Sequence, residues 1–362
     1  MRSRQRDSRP VTNGNLDQSQ HRSAILLAAN EVGIQNKLIR ALRESDEPSI
    51  RYQVLTRVLG ARPDSALAKR IQEKVRTSDR VARLLAEREP DGRLPYHPYA
   101  KWYGAHWILV ALAELGYPPG DRGLIPLREQ VFAWLLGKSH QDGIRTMRGR
   151  VRRCASQEGN ALYSQLTLGL ADERTEELAR RLRAWQWPDG GWNCDKNPSA
   201  VNSSFMETLI PLRGLALHAR LTRNRDSEQA AERAAEVFLK RQLYKRQRDG
   251  SPIHEDFLKL HYPCYWHYDI LFALKVMAEA GRVRDSRCQD ALTILESKRL
   301  SDGSFPSEGR YYRTGSKVKT GRSLVDWGGA GSTRMNEFVT LDALIVLTAA
   351  GRLPAAAEVD PM

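Results

Sequence analysis

Three cysteines stand at, or just before, the start of three consecutive apolar segments: Cys154, Cys194 and Cys264. Asp195 and His261 lie close to them in the sequence. Thiolate, imidazole and carboxylate groups bind zinc, whose sites use four such ligands or three plus water. These five residues therefore predict a zinc site, although none has the close Cys-x-x-Cys spacing of a secure metal motif. Three buried, reduced cysteines without a metal are the alternative interpretation.

Two acidic residues are candidates for proton transfer. When the apolar segments are aligned on their shared cores, Glu207 and Asp269 stand at the level of Trp107, and His106 and His267 come one or two residues earlier. Two carboxylates in one confined pocket take up different proton affinities, which suits general acid and base roles. The alternative is that each carboxylate binds an arginine or a helix N-terminus.

Five arginines crowd into the segment GIRTMRGRVRRCASQEGN, directly before an apolar segment. Guanidinium groups beside a helix N-terminus bind phosphate well. Arg152 and Arg153 are therefore predicted to bind an anion such as a diphosphate, and an exposed basic loop is the alternative. Cys154 and Gln157 also have the Cys-x-x-Gln spacing of an internal thioester, but the Gly-Cys-Gly-Glu-Gln context of complement-type thioesters is absent.

Further candidates for substrate binding lie on the same apolar segments. Aromatic side chains can line an apolar pocket or stabilise a cation through their π faces, although such residues are more often core. The polar candidates stand near the starts of segments. The set comprises Trp107, Tyr163, Trp266, Glu158, Asn160, Asn336 and Glu337.

The elements that position these residues follow a repeat. An amphipathic helix, an Asp-Gly turn, a loop and a more apolar helix recur with a loose period near fifty residues. The Asp-Gly pairs begin at Asp91, Asp142, Asp189, Asp249 and Asp302. Gly60, Gly116, Gly281 and Gly351 stand where apolar helices are predicted to end in a left-handed conformation. No segment has the pattern of a strand.

Helices that alternate between polar-faced and apolar can bury their apolar surfaces by closing into two concentric rings. The sequence therefore predicts an all-α protein, and within that class an α/α toroid, with six inner helices and a ring of outer helices. An open α-solenoid is the alternative.

The third turn, WQWPDGGWNCDKNP, resembles the QW repeat of the family that joins squalene and oxidosqualene cyclases to protein prenyltransferase β subunits. Trp187, Asp189, Gly190, Gly191 and Trp192 match that turn. The resemblance covers about residues 45 to 352 in architecture and is specific at this one repeat. It implies the toroid fold. Function carried from fold alone is an analogy.

The family's catalytic motifs do not match this sequence. It lacks the Asp-x-Asp-Asp run with which class II terpene cyclases protonate their substrate. Cys194 and Asp195 are adjacent, whereas protein prenyltransferases bind zinc with Asp-x-Cys and a later histidine. Ser203 and Ser204 stand near the position of that histidine. The resemblance therefore does not imply the standard chemistry of either class.

Composition bounds the remaining expectations. Residues 1–22 are polar and predicted to be a disordered arm, residues 23–352 a single toroid domain, and residues 353–362 a C-terminal tail. No stretch approaches the ~18–20 apolar residues that span a bilayer, and the few cysteines fit a reducing compartment, so a cytoplasmic location is expected. A formal net charge of +14 predicts an anionic partner, and nucleic acid is not excluded.

These observations predict a prenyltransferase-like or terpene-cyclase-like toroid that binds or acts on an apolar ligand, or an isoprenoid diphosphate, in its central cavity. Two alternatives stay open. One is a non-catalytic toroid that binds a lipid, nucleic acid or protein. The other is a carbohydrate-active toroid enzyme that uses the carboxylate pair. The Gly/Ser/Lys-rich stretch 304–333 is expected to be a lid or a disordered loop.

Overall fold

The computed structural model describes residues 31–353, of which residues 31–43 are helical. The predicted disordered arm and nearly all of the predicted tail lie outside the described residues. The later helices, in chain order, are α1 (Pro48–Gln53), α2 (Ala66–Arg76), α3 (Asp79–Leu85), α4 (Ala105–Glu114), α5 (Ile125–Leu135), α6 (Lys138–Asp142), α7 (Ala155–Thr167), α8 (Glu173–Trp185), α9 (Phe205–Thr222), α10 (Arg225–Leu239), α11 (Ile270–Glu279), α12 (Gln289–Ser297) and α13 (Glu337–Ala350). A π-helical turn, Val54–Val58, continues α1. The mostly helical structure confirms the prediction of an all-α protein.

Six helices coincide with the predicted apolar segments: α1 with its π-helical turn, α4, α7, α9, α11 and α13. Their starts follow from local capping, because a side-chain oxygen can accept the free N–H groups of a first helical turn. Asp269 accepts from the backbone N–H of Phe272 at the start of α11. Asn336 accepts from the N–H groups of Phe338 and Val339 at the start of α13.

The amphipathic helices bury one face each. In α8 the buried positions include Leu178, Ala179 and Leu182, whereas its arginines and glutamates mostly lie at the surface. Asp172 caps this helix through a capping box with Thr175. Such a helix gains most of its stability from the apolar face that it packs on its neighbours.

The six apolar helices contact one another in chain order. Helix α7 packs on α4 and α9, α9 on α11, and α11 on α13. Helix α13 in turn packs on α1 and on its π-helical turn. Gln53, the last residue of α1, donates a 3.0 Å hydrogen bond from Nε2 to the backbone oxygen of Glu114 at the end of α4. The buried apolar residues form one connected core from Leu38 to Leu347.

Two short β-ladders contradict the expectation that no segment forms a strand. Strand β1 (Arg145–Met147) pairs antiparallel with β2 (Arg150–Arg152), and β3 (Arg313–Thr314) pairs parallel with β4 (Arg322–Ser323). Arg148 and Gly149 both have positive φ, which makes the β1–β2 connection a tight hairpin turn. Strands of two or three residues are too short to leave an alternating pattern in the sequence.

Most of the predicted glycine positions are confirmed. Gly60, Gly116, Gly281 and Gly351 all have positive φ at the ends of apolar helices. In the Asp-Gly pairs the glycines at 92, 190, 250 and 303 also have positive φ. Gly143 differs from these four: it is the C-cap of α6 and its φ is −78°.

The QW-type turn joins α8 to the start of α9. Asp189 accepts hydrogen bonds from both the backbone N–H and the hydroxyl of Ser203, at 2.7 and 2.6 Å. Trp187 and Trp192 are buried, and their ring nitrogens donate to backbone oxygens of β2 and α8. Within residues 31–353, no helix combines the length and the apolar character that crossing a membrane requires.

We expect Gly190→Ala to destabilise the protein more than Gly250→Ala, although both glycines follow an aspartate and have positive φ. A Cβ at residue 190 would lie 2.4 Å from the backbone oxygen of Arg233, whereas a Cβ at residue 250 would meet nothing within 4 Å. The clash adds about 1–3 kcal/mol to the cost of the left-handed conformation itself, which is about 1–2 kcal/mol in both variants. Urea unfolding measures the difference, and equal losses would contradict the close packing of this turn.

Candidate functional site

Helices α7 and α9 approach each other closely, and this approach positions the candidate site. Gly159 of α7 lies against α9 so tightly that a Cβ there would be 2.7 Å from the nitrogen of Pro211. The N-terminal ends of the two helices are therefore close as well. Cys154 is the N-cap of α7, and Glu207 lies in the first turn of α9.

The QW-type turn brings a third chain segment to the same place. Thr208 of α9 accepts a 3.1 Å hydrogen bond from the backbone N–H of Trp192. Gly191 packs so closely that a Cβ there would lie 2.5 Å from the Thr208 hydroxyl. These contacts hold the backbone of the turn against α9. Cys194 lies two residues after Trp192.

Cys154, Cys194 and Glu207 form what we call the thiol–carboxylate cluster. One ligand atom from each, two Sγ atoms and one carboxylate oxygen, all lie within 4.8 Å of one another. The Sγ atom of Cys194 is 3.6 Å from Oε1 of Glu207, and Oε2 of Glu207 accepts a 3.0 Å hydrogen bond from the N–H of Ser156. All three side chains are half-buried.

The protonation of the cluster depends on its own members. Burial raises the pKa of Glu207 above its ordinary value. A hydrogen bond between the thiols raises the pKa of Cys154 and lowers the pKa of Cys194. Without a cation, the cluster therefore resists carrying three negative charges at once.

A buried relay adjoins the cluster. Nε2 of His140 lies 3.0 Å from Oε1 of the fully buried Glu158, and Nδ1 of His140 lies 2.6 Å from Nη2 of Arg153. Nη2 of Arg153 also lies 2.5 Å from Nε2 of His140, so the guanidinium contacts both ring nitrogens. Arg153 also donates to Oε1 of Gln157, at 3.0 Å. The relay therefore holds the Arg153 guanidinium next to Cys154.

A second group of possible metal ligands consists of His261, Cys264 and Asp269. Nδ1 of His261 lies 2.6 Å from Oδ2 of Asp269, closer than the separation of about 3.3 Å between two ligands of one tetrahedral zinc. Asp269 also accepts from the N–H groups of His261 and Phe272, at 2.9 and 2.7 Å. These bonds occupy Asp269 as a helix cap, so this group fits zinc less well than the thiol–carboxylate cluster does.

The five predicted metal ligands thus occupy three places. Cys154 and Cys194 belong to one group, and His261 and Cys264 belong to the other. Asp195 belongs to neither group: it is exposed, and its Oδ1 accepts from the N–H of Asn197. The role of a carboxylate ligand beside Cys194 falls to Glu207 instead.

The predicted catalytic residues are likewise separated. Glu207 and Asp269 lie in different groups, and each accepts hydrogen bonds from backbone N–H groups at a helix start. His106 is buried and its two ring nitrogens have no hydrogen-bond partner among the described residues; burial lowers its pKa to about 3. His267 is stacked between Trp266 and Tyr311, and burial lowers its pKa to about 3 as well.

The predicted substrate-binding residues mostly serve packing. Arg152 is buried, donates 2.9 Å to the oxygen of Ala200 and lies over the ring of Trp187. Trp107 is buried in the core. Glu337 is half-buried in the first turn of α13, where Asn336 is the cap. Arg153 and Glu158 remain beside the thiol–carboxylate cluster.

The central cavity measures about 20 Å³. It is lined by residues from five of the apolar helices, by the loop residues 262–265 and by Trp327. Asn160 lines it and donates to the oxygen of Tyr265, at 3.3 Å. That volume holds about one water molecule, whereas pockets for small organic ligands measure about 300–1,000 Å³. The cavity as it stands therefore does not accommodate an isoprenoid chain.

Charged side chains occupy the space around this cavity. Nε of Arg213 lies 2.6 Å from Glu279, and another of its nitrogens contacts Glu114. Nζ of Lys275 lies 2.8 Å from Glu114 and 2.7 Å from Asp342. Arg213 also donates to the hydroxyl of Tyr163, and Arg57 forms an ion pair with Glu279. We call these residues the central ion network: Arg57, Glu114, Tyr163, Arg213, Lys275, Glu279 and Asp342.

The formal charges of the network balance, with three cations against three carboxylates. Burial alone would raise the pKa of Glu114, but Arg213 and Lys275 outweigh burial and hold that pKa well below its usual range. Burial raises the pKa of Asp342 despite its contact with Lys275. Of the seven residues of the network, Tyr163 alone was a predicted site residue, and it was predicted to bind substrate. Single charged residues inside apolar segments, such as Arg213 in TLIPLRGLAL, were the signal for the network.

The segment 304–333 contacts the chain just before α4 and contributes Trp327 to the lining of the cavity. Trp102 donates from its ring nitrogen to the oxygen of Tyr311 and from its backbone to the oxygen of Arg322, at 2.8 and 2.9 Å. Trp327 is buried, lines the cavity and accepts at its backbone oxygen from Asn336. Of the two expectations for this segment, these contacts favour a covering structure.

Comparison of the chain with protein-family models, with curated proteins and with solved structures finds no match. The resemblance to the cyclase and prenyltransferase family therefore rests on the residues of the QW-type turn.

We expect Glu114→Gln to cost about 3–5 kcal/mol of stability, because the substitution leaves the three cations of the central ion network against only two carboxylates. Guanidinium chloride unfolding at pH 7 measures the loss. Glu73→Gln is the matched control: it removes an exposed ion pair with Arg76 and should cost less than about 1 kcal/mol. Similar effects of the two substitutions would show that the network contributes no more than a surface pair.

Proposed function

We propose that the protein is a zinc-dependent enzyme whose metal is held by Cys154, Cys194 and Glu207, at the N-terminal ends of α7 and α9. The observation that carries the proposal is the convergence of these three ligand atoms, from three separate chain segments, within 4.8 Å. Sites with three protein ligands leave a fourth position for water or substrate, as catalytic zinc sites do.

The cluster fits zinc in geometry as well as in chemistry. Tetrahedral coordination with zinc–sulfur distances of about 2.3 Å separates two ligand atoms by about 3.5–3.8 Å. The 3.6 Å between Sγ of Cys194 and Oε1 of Glu207 lies in that range. The hydrogen bond from Ser156 holds the other oxygen of Glu207 and so orients Oε1 toward the thiols, as a second-shell donor does.

The chain's own residues supply the surroundings of the reaction. Bound zinc would act as a Lewis acid at its open position. Arg153, held by His140 and Glu158, places a fixed positive charge beside the site, where it can bind an anionic group of a substrate. Because the central cavity is small, the substrate would approach from outside the helix ends.

For the fold we propose the α/α toroid of the cyclase and prenyltransferase superfamily. Two observations support closure: the contacts of α13 with α1, and the hydrogen bond from Gln53 to the end of α4. In this toroid the central ion network would fill the lumen, so the lumen would not be open to an isoprenoid ligand. A reducing cytoplasmic location, expected from the sequence, would keep the thiols available for zinc.

A second candidate is a non-catalytic toroid, and the filled cavity is the observation that favours it. A basic protein without an internal ligand site would bind anionic partners through its surface. Zinc binding with an open coordination position separates the two, because a surface-binding scaffold needs neither.

We expect purified full-length protein to bind one zinc ion, measured by elemental mass spectrometry. Cys154→Ser, Cys194→Ser and Glu207→Gln should each weaken zinc at least about 100-fold in competition with a chromophoric chelator, because a first-shell ligand matters more than the second-shell groups that change affinity 10–100-fold. Cys288→Ser is the control, since a serine can still donate to the oxygen of Arg282.

The same experiment discriminates between the two groups of ligands. Loss of zinc in Cys264→Ser but not in Cys194→Ser would place the metal with His261 and overturn the proposal. In cobalt-substituted protein, added imidazole should shift the thiolate-to-cobalt and d–d absorption bands because the fourth position is open. Unchanged bands would indicate a closed structural site and refute the enzymatic role.

A further inference from the structure

We propose that Cys154 and Cys194 form a reversible disulfide, so that oxidation of the pair and zinc binding exclude each other. The consequence for zinc rests on the proposed function. The disulfide itself rests only on the position and surroundings of the two thiols.

The two sulfur atoms are already close. They lie within 4.8 Å of each other, and a disulfide requires about 2.05 Å. Cys154 is fixed at the start of α7, so most of the movement falls on Cys194. Asn193 forms an isolated β-bridge with Arg152, and Cys194 begins the irregular segment 194–204, where short-range side-chain bonds replace helix or strand pairing. Such a segment can shift by the few ångströms required more cheaply than a helix can.

Of the four cysteines, Cys154 and Cys194 are the two that are placed to form a disulfide with each other. Cys264 donates to the oxygen of His261, and Cys288 is buried and donates to the oxygen of Arg282. Cys154, Cys194 and Cys264 are all half-buried, so a small oxidant can reach each of them, and proximity to a second sulfur rather than exposure distinguishes the pair. In the described part of the chain, the sulfur atoms of Cys264 and Cys288 contact backbone oxygens and no other cysteine.

A small-molecule disulfide such as oxidised glutathione serves as the oxidant. The thiolate of one cysteine attacks a sulfur of that disulfide, forms a mixed disulfide and releases one small thiolate. The second cysteine then attacks the protein sulfur of the mixed disulfide and releases the other small thiolate. Two protein thiols and one disulfide thus become one protein disulfide and two small thiols, and both electrons pass to the small molecule.

Oxidation removes the zinc site because a disulfide supplies no thiolate ligands. Glu207 would remain as one carboxylate beside the hydrogen bond from Ser156, which is too little to hold zinc. In the other direction, bound zinc occupies both sulfur atoms and protects them from exchange. The cluster would therefore lose its metal in an oxidising environment and regain it on reduction.

The test compares zinc-loaded full-length protein with the same protein stripped of metal by a chelator, both incubated with oxidised glutathione. Mass spectrometry of a non-reduced digest quantifies the peptide pair linked through Cys154 and Cys194. We expect the link in metal-free protein and formation about 100-fold slower with free zinc at 100 times its Kd, because about 1% of the protein is then metal-free. Dithiothreitol should restore zinc binding.

Two variants keep the result specific. Cys288→Ser should form the link at the wild-type rate. Cys194→Ser should instead accumulate a glutathione adduct on Cys154, and a link from Cys154 to another cysteine in that variant would contradict selectivity. Both variants report on the thiols directly and need no enzyme assay.

The outcomes separate this inference from the proposed function. Linkage in a protein that binds no zinc would leave the disulfide standing and overturn the zinc enzyme. Zinc binding without linkage in the metal-free protein would overturn the disulfide alone. Linkage at the same rate with and without bound zinc would refute mutual exclusion.

Discussion

Pairing of buried charge is the constraint on which the rest of this structure depends. An unpaired ion in an apolar core costs several kcal/mol, so each charge of the central ion network requires its partner in place. The partners stand on different helices. Arg213 of α9 reaches Glu114 of α4 and Glu279 of α11, and Lys275 of α11 reaches Asp342 of α13. The network therefore fixes which helices are neighbours and how each is rotated about its axis.

The central cavity has room for about one water molecule, because ion pairs fill the space around it. The proposed zinc site therefore lies outside it, at the N-terminal ends of α7 and α9. Their separation is set by the close contact of Gly159 with α9. The thiol–carboxylate cluster and the relay through His140 thus depend on helix packing that the core determines.

The sequence predicted the helices well because their signals are local. Apolar periodicity, Asp-Gly turns and terminal glycines each act over a few residues. It also placed Cys154 and Glu207 near helix starts, whereas Cys194 lies ten residues before the N-cap of α9. It could not predict partners, because alignment of helices gives height along an axis but not the direction in which a side chain points. Glu207 was therefore paired in expectation with Asp269, whereas the structure groups it with two thiols. The central ion network could not be predicted for the same reason. In the sequence each of its charges is a single polar residue in an apolar segment, and nothing local indicates its partner.

The coupling free energy between Arg57 and Glu279 tests the central claim most directly. These residues are 222 positions apart in the chain, on the π-helical turn after α1 and on α11, and their side chains lie 3.2 Å apart. A double-mutant cycle with Arg57→Met and Glu279→Gln measures the coupling through denaturant unfolding. A network that joins the first helices to the last predicts a non-additivity of about 0.5–3 kcal/mol. Strict additivity would contradict it, because the first and fifth apolar helices of an open arc would have no contact to lose.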